Sequence, residues 1–206
     1  MESKKMYLYP VWLRIWHGVN AICIIMLIVT GVSLHYADME YPFMSFGLSI
    51  TLHNIFGVIA LISYVIFFAM NRLFLNGLQY RMKLKGLMKR LIDQGKYYMF
   101  GYFKGEPKPF PISEENKFNP LQRVSYTVTM YILMPIVIIT GIGLLYPEVI
   151  MDEVAGVNGI QLTALLHAIM GYFISLFLVI HLYVASVGKH PLKNYKSIVT
   201  GYHEHE

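Results

Sequence analysis

Four long stretches of this 206-residue chain carry no charged side chain, and they constrain its fold more than any other feature. They cover residues 15–37, 41–71, 124–147 and 154–188. Each is longer than the roughly 20 residues that an α-helix needs to cross the hydrocarbon core of a bilayer. Only 14% of the residues are charged, against roughly 25% in a soluble domain. The sequence therefore predicts an all-α integral membrane protein built as a four-helix bundle.

The whole chain, residues 1–206, is expected to form a single membrane domain. The predicted transmembrane helices cover residues 11–36, 47–72, 121–146 and 159–187. The first hydrophobic segment is too long for the apolar region of a signal peptide and has no small-residue cleavage site, so we expect a retained helix.

The basic residues lie on one side of the predicted bundle. Of the 17 Lys and Arg residues, three lie at the start of the chain, eleven between Arg72 and Arg123, and three after the fourth helix. The charged residues of the other two connections are all acidic, namely Asp38, Glu40, Glu148, Asp152 and Glu153. The positive-inside rule therefore predicts that both termini and the long loop are cytoplasmic. The basic pI reflects this topology, and no nucleic-acid recognition motif accompanies it.

The long loop, residues 73–120, is expected to contain an interfacial helix near residues 80–93. Its apolar positions are separated by cations and comprise Tyr80, Leu84, Leu87, Met88, Leu91 and Ile92. This pattern is typical of a helix that lies in the membrane surface with its cations toward anionic headgroups. A solvated basic loop is the alternative. Three prolines predict an extended connector over residues 105–119.

The two halves of the sequence resemble each other. Residues 28–36, IVTGVSLHY, share five of nine positions with residues 138–146, IITGIGLLY. The LHNIFG motif that contains His53 likewise matches the LHAIMG motif that contains His167. The repeat predicts a duplicated helical hairpin whose copies are related by a pseudo-twofold axis along the membrane normal.

Five of the eight histidines lie in the charge-free stretches, namely His17, His35, His53, His167 and His181. Ionisable groups at membrane depth are costly and usually face a partner or a cofactor. The 14 residues between His167 and His181 place both on one helix face, roughly 21 Å apart along the axis. This spacing indicates two ligand sites stacked across one bilayer.

The direction of each helix indicates which histidines meet. His17 and His181 are expected on the inner side, and His53 and His167 on the outer side. Each pair would supply both axial ligands of a porphyrin iron. His35 lies about 27 Å along the helix from His17, so we interpret it as an interfacial residue or a haem propionate contact.

The repeat predicts the outer pair only. The positions that correspond to His17 and His181 in the other half of the repeat are Thr127 and Phe67, which are not histidines. Gly57 and Gly171 follow the outer histidines by four residues, and either leave room for a macrocycle or serve helix packing.

The remaining histidines and the cysteine carry less information. His190, His203 and His205 are expected to be exposed, the last two as an adventitious metal-binding tail. Cys23 is the sole cysteine and no Cys-x-x-Cys-His motif occurs. These facts exclude a disulfide framework and a covalently attached c-type haem.

The sequence resembles the four-helix dihaem cytochrome b membrane subunits of nickel-iron hydrogenases, formate dehydrogenases and thiosulfate-reductase-like enzymes. The resemblance is carried by residues 10–17 (PVWLRIWH), Leu52-His53, the His167/His181 pair and residues 198–202 (IVTGY). It implies two noncovalent b haems, with His17 and His181 on the inner iron and His53 and His167 on the outer iron. It also implies a quinone or quinol substrate near the inner haem.

Three further residues receive roles from this comparison. Asn119 and Gln122 lie in a segment similar to one that contributes to the family's quinone pocket, although Leu121 stands where some relatives have Gly. Asn119 before a proline is also an ordinary helix cap. Arg14, one turn before His17, is placed to pair with an inner haem propionate, or is a snorkelling anchor.

The sequence thus predicts an electron-transfer subunit of an oxidoreductase complex in a bacterial or archaeal cytoplasmic membrane. It would connect an outer-side partner of the hydrogenase, molybdenum-enzyme or multihaem cytochrome c type with the quinone pool. The alternatives are a self-contained haem b oxidoreductase and a non-redox anchor or transporter. The chain has no catalytic triad, phosphate loop or nucleotide fingerprint, so we expect no catalytic residue on it.

Overall fold

The computed structural model describes residues 5–37, 43–113, 116–187 and 190–204, without the side chains of Leu75 and Glu204. Three residues named in the sequence predictions lie outside this part of the chain: Asp38, Glu40 and His205.

The described chain is mostly helical, as the sequence predicts. In chain order, the helices are α1 (Val11–His35), α2 (Phe46–Leu73), α3 (Leu87–Lys96), α4 (Pro120–Val128), α5 (Met134–Leu145), α6 (Gly159–Ser186) and α7 (Lys193–Thr200). The short strands are β1 (Lys5–Tyr7), β2 (Glu153–Val154), β3 (Val157–Asn158) and β4 (Tyr202–Glu204). Within the described residues, four segments are long and apolar enough to cross a membrane: α1, α2, α6 and the segment Pro120–Leu145, which contains α4 and α5.

A π-helical turn, Thr129–Leu133, separates α4 from α5 within the third span. Pro135 explains this irregularity, because a proline lacks the N–H that would donate to the carbonyl four residues earlier and its ring clashes with that carbonyl. A π-turn accommodates the mismatch without ending the helix.

The long loop differs from its prediction. The helix expected near residues 80–93 begins only at Leu87 and continues to Lys96, so the predicted range is wrong at both ends. The segment Leu75–Tyr80 is a 3₁₀ helix instead. Gly86 has a φ of 68°, a left-handed conformation that a right-handed helix cannot include. This glycine therefore sets the start of α3.

The membrane-spanning helices bury small polar side chains and expose large apolar ones. The buried polar residues between helices include Thr30, Ser33, Ser49, Ser63 and Thr140. The Ser49 hydroxyl donates to the Ser33 hydroxyl over 2.9 Å, which joins α1 to α2. No more than 22% of the most apolar window of any span is buried within the chain. This arrangement suits lipid, where close packing and hydrogen bonds join helices and apolar surface faces outward.

The spans form two hairpins, α1 with α2 and α5 with α6, and the packing within each hairpin is more extensive than the packing between them. A buried cluster of Phe67, Met130, Met134 and Ile174 joins them. Trp16 stacks on Phe67 with ring centroids 4.4 Å apart. Phe67 is the repeat counterpart of His181, so the second hairpin has a histidine where the first has a core aromatic.

The first and last described strands meet at one end of the bundle, here called the terminal end. Strands β1 and β4 pair antiparallel, with Met6 opposite His203. The expectation that His203 is exposed is wrong, because this pairing leaves only 6% of the residue exposed. Its Nδ1 lies 3.4 Å from the Ser197 hydroxyl. His190 is exposed, as expected.

Gly77 provides a test of the turn that follows α2. A Cβ at this position would lie 2.6 Å from the backbone oxygen of Asn71, whereas a Cβ at Gly95 in α3 would meet no described atom within 4 Å. We expect Gly77→Ala to lower the free energy of unfolding by about 1–3 kcal/mol. Gly95→Ala should raise it by up to about 1 kcal/mol.

Thermal unfolding of the detergent-solubilised protein, followed by circular dichroism, measures both effects. Equal melting temperatures for the two variants would contradict the close approach at Gly77.

Candidate functional site

The fold brings four of the intramembrane histidines together as two pairs. The ring centroids of His17 in α1 and His181 in α6 are 6.3 Å apart, with 51° between the ring planes. Those of His53 in α2 and His167 in α6 are 6.1 Å apart, with 69° between the planes. We call these the inner pair and the outer pair. Both pairs join a helix of the first hairpin to α6 of the second.

Each separation fits one metal ion held between two imidazoles. With a metal–nitrogen bond of about 2.0–2.1 Å and a ring radius of about 1.1 Å, the two ring centroids should lie about 6.3 Å apart. Among the described residues, no group of three or more His, Cys, Asp or Glu side chains is placed to hold a metal ion. Each pair would therefore suit a metal ion whose other ligands come from a bound group, as in haem.

The outer pair has a symmetric set of neighbours. The Thr30 hydroxyl lies 2.9 Å from Nδ1 of His53, and the Thr140 hydroxyl lies 3.0 Å from Nδ1 of His167. A Cβ on the next residue, Gly31 or Gly141, would lie 3.5 Å or 3.1 Å from Cε1 of the same ring. Each Thr-Gly dipeptide therefore packs against the edge of one histidine.

The inner pair is surrounded differently. The Tyr126 hydroxyl lies 3.2 Å from Nδ1 of His181, and the Phe177 ring stacks on the His181 ring at 5.6 Å. Thr127, the repeat counterpart of His17, donates instead to the carbonyl oxygens of Arg123 and Tyr80, at 2.7 and 2.9 Å. The repeat therefore supplies no matching contact at this depth.

Gly57 and Gly171 border open space. A Cβ at Gly171 would meet no described atom within 4 Å, and one at Gly57 would meet only Leu27, at 4.0 Å. Neither glycine lies at a close contact between helices, so helix packing does not explain why glycine occupies these positions. Both leave room on the helix faces that carry the outer pair.

Arg14 and His35 occupy opposite ends of α1. Arg14 reaches toward Gly201, and a Cβ there would lie 3.4 Å from its guanidinium. The Nε of Arg14 is buried without a hydrogen-bond partner in the described chain. His35 is exposed, and its ring lies edge-on to Tyr36 with centroids 4.7 Å apart. The structure brings His35 into neither histidine pair.

Asn119 and Gln122 form a capping box at the start of α4. The Asn119 side-chain oxygen accepts from the Gln122 backbone N–H at 2.9 Å, and the Gln122 side-chain oxygen accepts from the Asn119 backbone N–H at 3.2 Å. The cap interpretation of Asn119 is therefore correct as local structure. The Asn119 amide also donates to the Tyr98 hydroxyl over 2.7 Å.

The sequence analysis did not identify Tyr98, whose hydroxyl has a hydrogen-bond donor that no described residue accepts. Its oxygen accepts from Asn119, and no acceptor for its proton is found among the described side chains and backbone. Burial raises the pKa of Tyr98 to about 12. The phenol therefore keeps its proton at neutral pH and can donate a hydrogen bond to a ligand.

Sequence reasoning also missed Thr30, Thr140 and Tyr126 as neighbours of the histidines. A signal for the first two was present, because the Thr-Gly dipeptide is conserved between the two halves of the chain. The pattern indicates a duplication but does not say which side chain on another helix the threonine meets. Tyr126 has no counterpart in the repeat, and no sequence pattern indicates its contact.

Four apolar spans with paired histidines at two depths define a membrane cytochrome. Residues 8–201 match the family model described as prokaryotic cytochrome b561, and the chain belongs to this family. It is 36% identical over 205 residues to the Escherichia coli (strain K12) protein named "Putative cytochrome YdhU", an alignment that covers 99% of this chain and 77% of the relative. The chain is thus a multi-pass bacterial membrane protein of the haem b electron-transfer type.

The capping box generates a prediction for the start of α4. Asn119→Ala removes the cap acceptor and should lower the free energy of unfolding by about 1 kcal/mol. Asn119→Asp keeps an acceptor at the cap position and should retain most of the stability. The melting temperatures of the two variants in detergent measure the difference. An equal loss in the two variants would show that the amide contact with Tyr98, which both variants lack, dominates over the cap.

Proposed function

We propose that the chain is a membrane electron-transfer subunit that binds two b haems. His17 and His181 would ligate the inner iron, and His53 and His167 the outer iron. The observation that carries this proposal is the separation of the ring centroids, 6.3 and 6.1 Å, in two independent pairs. Haem supplies the one-electron redox chemistry when bound, and the protein supplies ligands, spacing and an apolar surrounding.

The two sites are stacked across the membrane. His167 and His181 lie 14 residues apart on α6, which corresponds to roughly 21 Å along the helix. The buried Ile174 lies halfway between them in sequence and belongs to the core cluster that joins the hairpins. This apolar layer would separate the two sites.

The distribution of cations supports an orientation in which the terminal end lies on the cytoplasmic side of the inner membrane. Lys5, Arg14 and Lys193 belong to this end, and α3 adds more cations. Exposed apolar side chains accompany them at Leu84, Met88 and Ile92. A segment of this kind can rest on anionic lipid with its cations toward the headgroups.

A redox partner would then dock on the opposite, outer end of the bundle. Glu148 and the β2–β3 hairpin lie there, and their acidic residues include Asp152 and Glu153. A partner of the hydrogenase, molybdenum-enzyme or multihaem cytochrome c type would exchange electrons with the outer haem. The inner haem would exchange them with quinone.

The quinone would bind beside Asn119 and Gln122, at the start of α4. The capping box uses the side-chain oxygen of both residues, which leaves the Gln122 amide group, the second N–H of the Asn119 amide and the Tyr98 hydroxyl as donors. A quinone carbonyl accepts hydrogen bonds, and Tyr98 has a donor that is not otherwise used in the described chain. Tyr98 is therefore the third residue that we assign to this pocket.

Arg14 would pair with a propionate of the inner haem. It lies three residues before His17 on α1, and its buried Nε has no partner among the described residues. A buried guanidinium N–H without an acceptor is costly. A haem carboxylate would satisfy it with a charge-assisted hydrogen bond.

Haem content of histidine variants tests the ligand assignment. The purified protein should contain two b haems per chain, measured as pyridine haemochrome. His167→Ala and His181→Ala should each retain one haem, because each removes a ligand from one site only. The matched control, His35→Ala, should retain two. Two haems in His167→Ala, or one in His35→Ala, would refute the assignment.

Quinol oxidation tests the pocket at α4. Tyr98→Phe removes one donor, whose net contribution of about 0.5–1.5 kcal/mol corresponds to a rise of about twofold to tenfold in the KM for a short-chain quinol. The variant should retain both haems. Tyr183→Phe, which alters an exposed side chain of α6, is the control and should behave as the unaltered protein. An unchanged KM in Tyr98→Phe would exclude this residue from the pocket.

A further inference from the structure

We propose that Thr30 and Thr140 are positioning residues that fix the tautomer and the donor strength of the outer histidine pair. This inference rests on the proposed haem ligation by His53 and His167. It adds that each hairpin contributes a complete unit to the outer site: one histidine, and one threonine from the neighbouring helix that holds it.

The hydrogen-bond directions follow from the single proton of each hydroxyl. The Thr30 hydroxyl donates to the Met26 carbonyl oxygen over 2.7 Å, and the Thr140 hydroxyl donates to the Ile136 carbonyl oxygen over 2.8 Å. A hydroxyl has one proton to donate but two lone pairs to accept with. Each threonine oxygen must therefore accept from the histidine, at 2.9 and 3.0 Å.

This direction assigns the imidazole protons. Nδ1 of His53 and of His167 carries the proton, and Nε2 of each is left with a free lone pair. A neutral imidazole binds a metal through its unprotonated nitrogen. The threonines thus select the tautomer in which Nε2 can coordinate iron.

Burial strengthens the hydrogen bond between each threonine and its histidine. Thr30 is fully buried and Thr140 is 7% exposed, so water does not compete for either histidine proton. A hydrogen bond in such surroundings is stronger than in water. The adjacent glycines, Gly31 and Gly141, face the same Nδ1–Cε1 edge of each ring, where a Cβ would lie 3.5 Å or 3.1 Å from Cε1. Glycine at these positions therefore leaves room for the ring beside the hydroxyl that contacts it.

Among the described residues, no threonine contacts the inner pair. His181 meets a tyrosine hydroxyl at a longer distance, 3.2 Å, and Thr127 directs its hydroxyl to backbone carbonyls. A hydrogen bond from a ligating histidine to an acceptor raises the basicity of the ligand. A more basic ligand favours the ferric state, which lowers the reduction potential of the iron. The threonines should therefore lower the potential of the outer haem alone.

Redox titration of the purified full chain, followed at the haem absorption bands, tests this inference. Thr30→Val and Thr140→Val should each raise the midpoint potential of one haem, and the double variant should raise it further. The potential of the other haem should stay unchanged. Thr140→Ser keeps the hydroxyl and should restore the original value.

Two other threonines provide matched controls. Thr51 and Thr163 also donate to the carbonyl oxygen four residues earlier, both at 2.8 Å, and no histidine contact is described for either. Thr51→Val and Thr163→Val should leave both potentials unchanged. A shift in these controls equal to that in the test variants would overturn the inference, because it would reflect a general helix effect.

Loss of one haem is also informative. If Thr140→Val loses one haem while Thr140→Ser and Thr163→Val keep two, the hydroxyl is required to hold the ligand and the inference stands. If Thr140→Ser loses the haem as well, or if both valine variants keep the original potentials, the inference is refuted. A haem-free unaltered protein would instead refute the proposed function.

Discussion

The cost of placing an imidazole in lipid governs the structure around it. No water is available at membrane depth, so each polar atom needs a partner within the protein or a bound group. The outer histidines meet this need on one side with buried hydroxyls, at 2.9 and 3.0 Å. On the other side they face each other across a gap suited to a metal ion. The small polar residues between the helices and the outward-facing apolar ones follow from the same requirement.

Charge and periodicity were enough to predict much of this architecture. The charge-free stretches gave the four spans, because membrane helices must be long and apolar. Spacing on α6 and helix direction predicted which histidines approach each other, since both depend on helix geometry alone. The assignment of Asn119 and Gln122 to a quinone pocket came from the family resemblance and not from helix geometry. The capping box already explains both residues as local structure.

The features that sequence reasoning missed depend on contacts between elements or on a single backbone angle. The start of α3 is set by the left-handed conformation of Gly86, which hydrophobic periodicity does not reveal. Burial of His203 requires the pairing of the two chain ends. The threonine contacts require knowing how α1 faces α2 and how α5 faces α6. The repeat contains these threonines, but a repeated dipeptide does not indicate which residue it contacts.

The pairing of β1 with β4 has a consequence for biosynthesis. His17 is translated before His181, and strand β4, which pairs with β1, is translated later still. The inner pair can therefore assemble only after α6 has been translated. The hairpin α1–α2, by contrast, can insert and join Thr30 to His53 while the second half is still being translated. The bundle can thus be closed at its terminal end only after β4 has been translated.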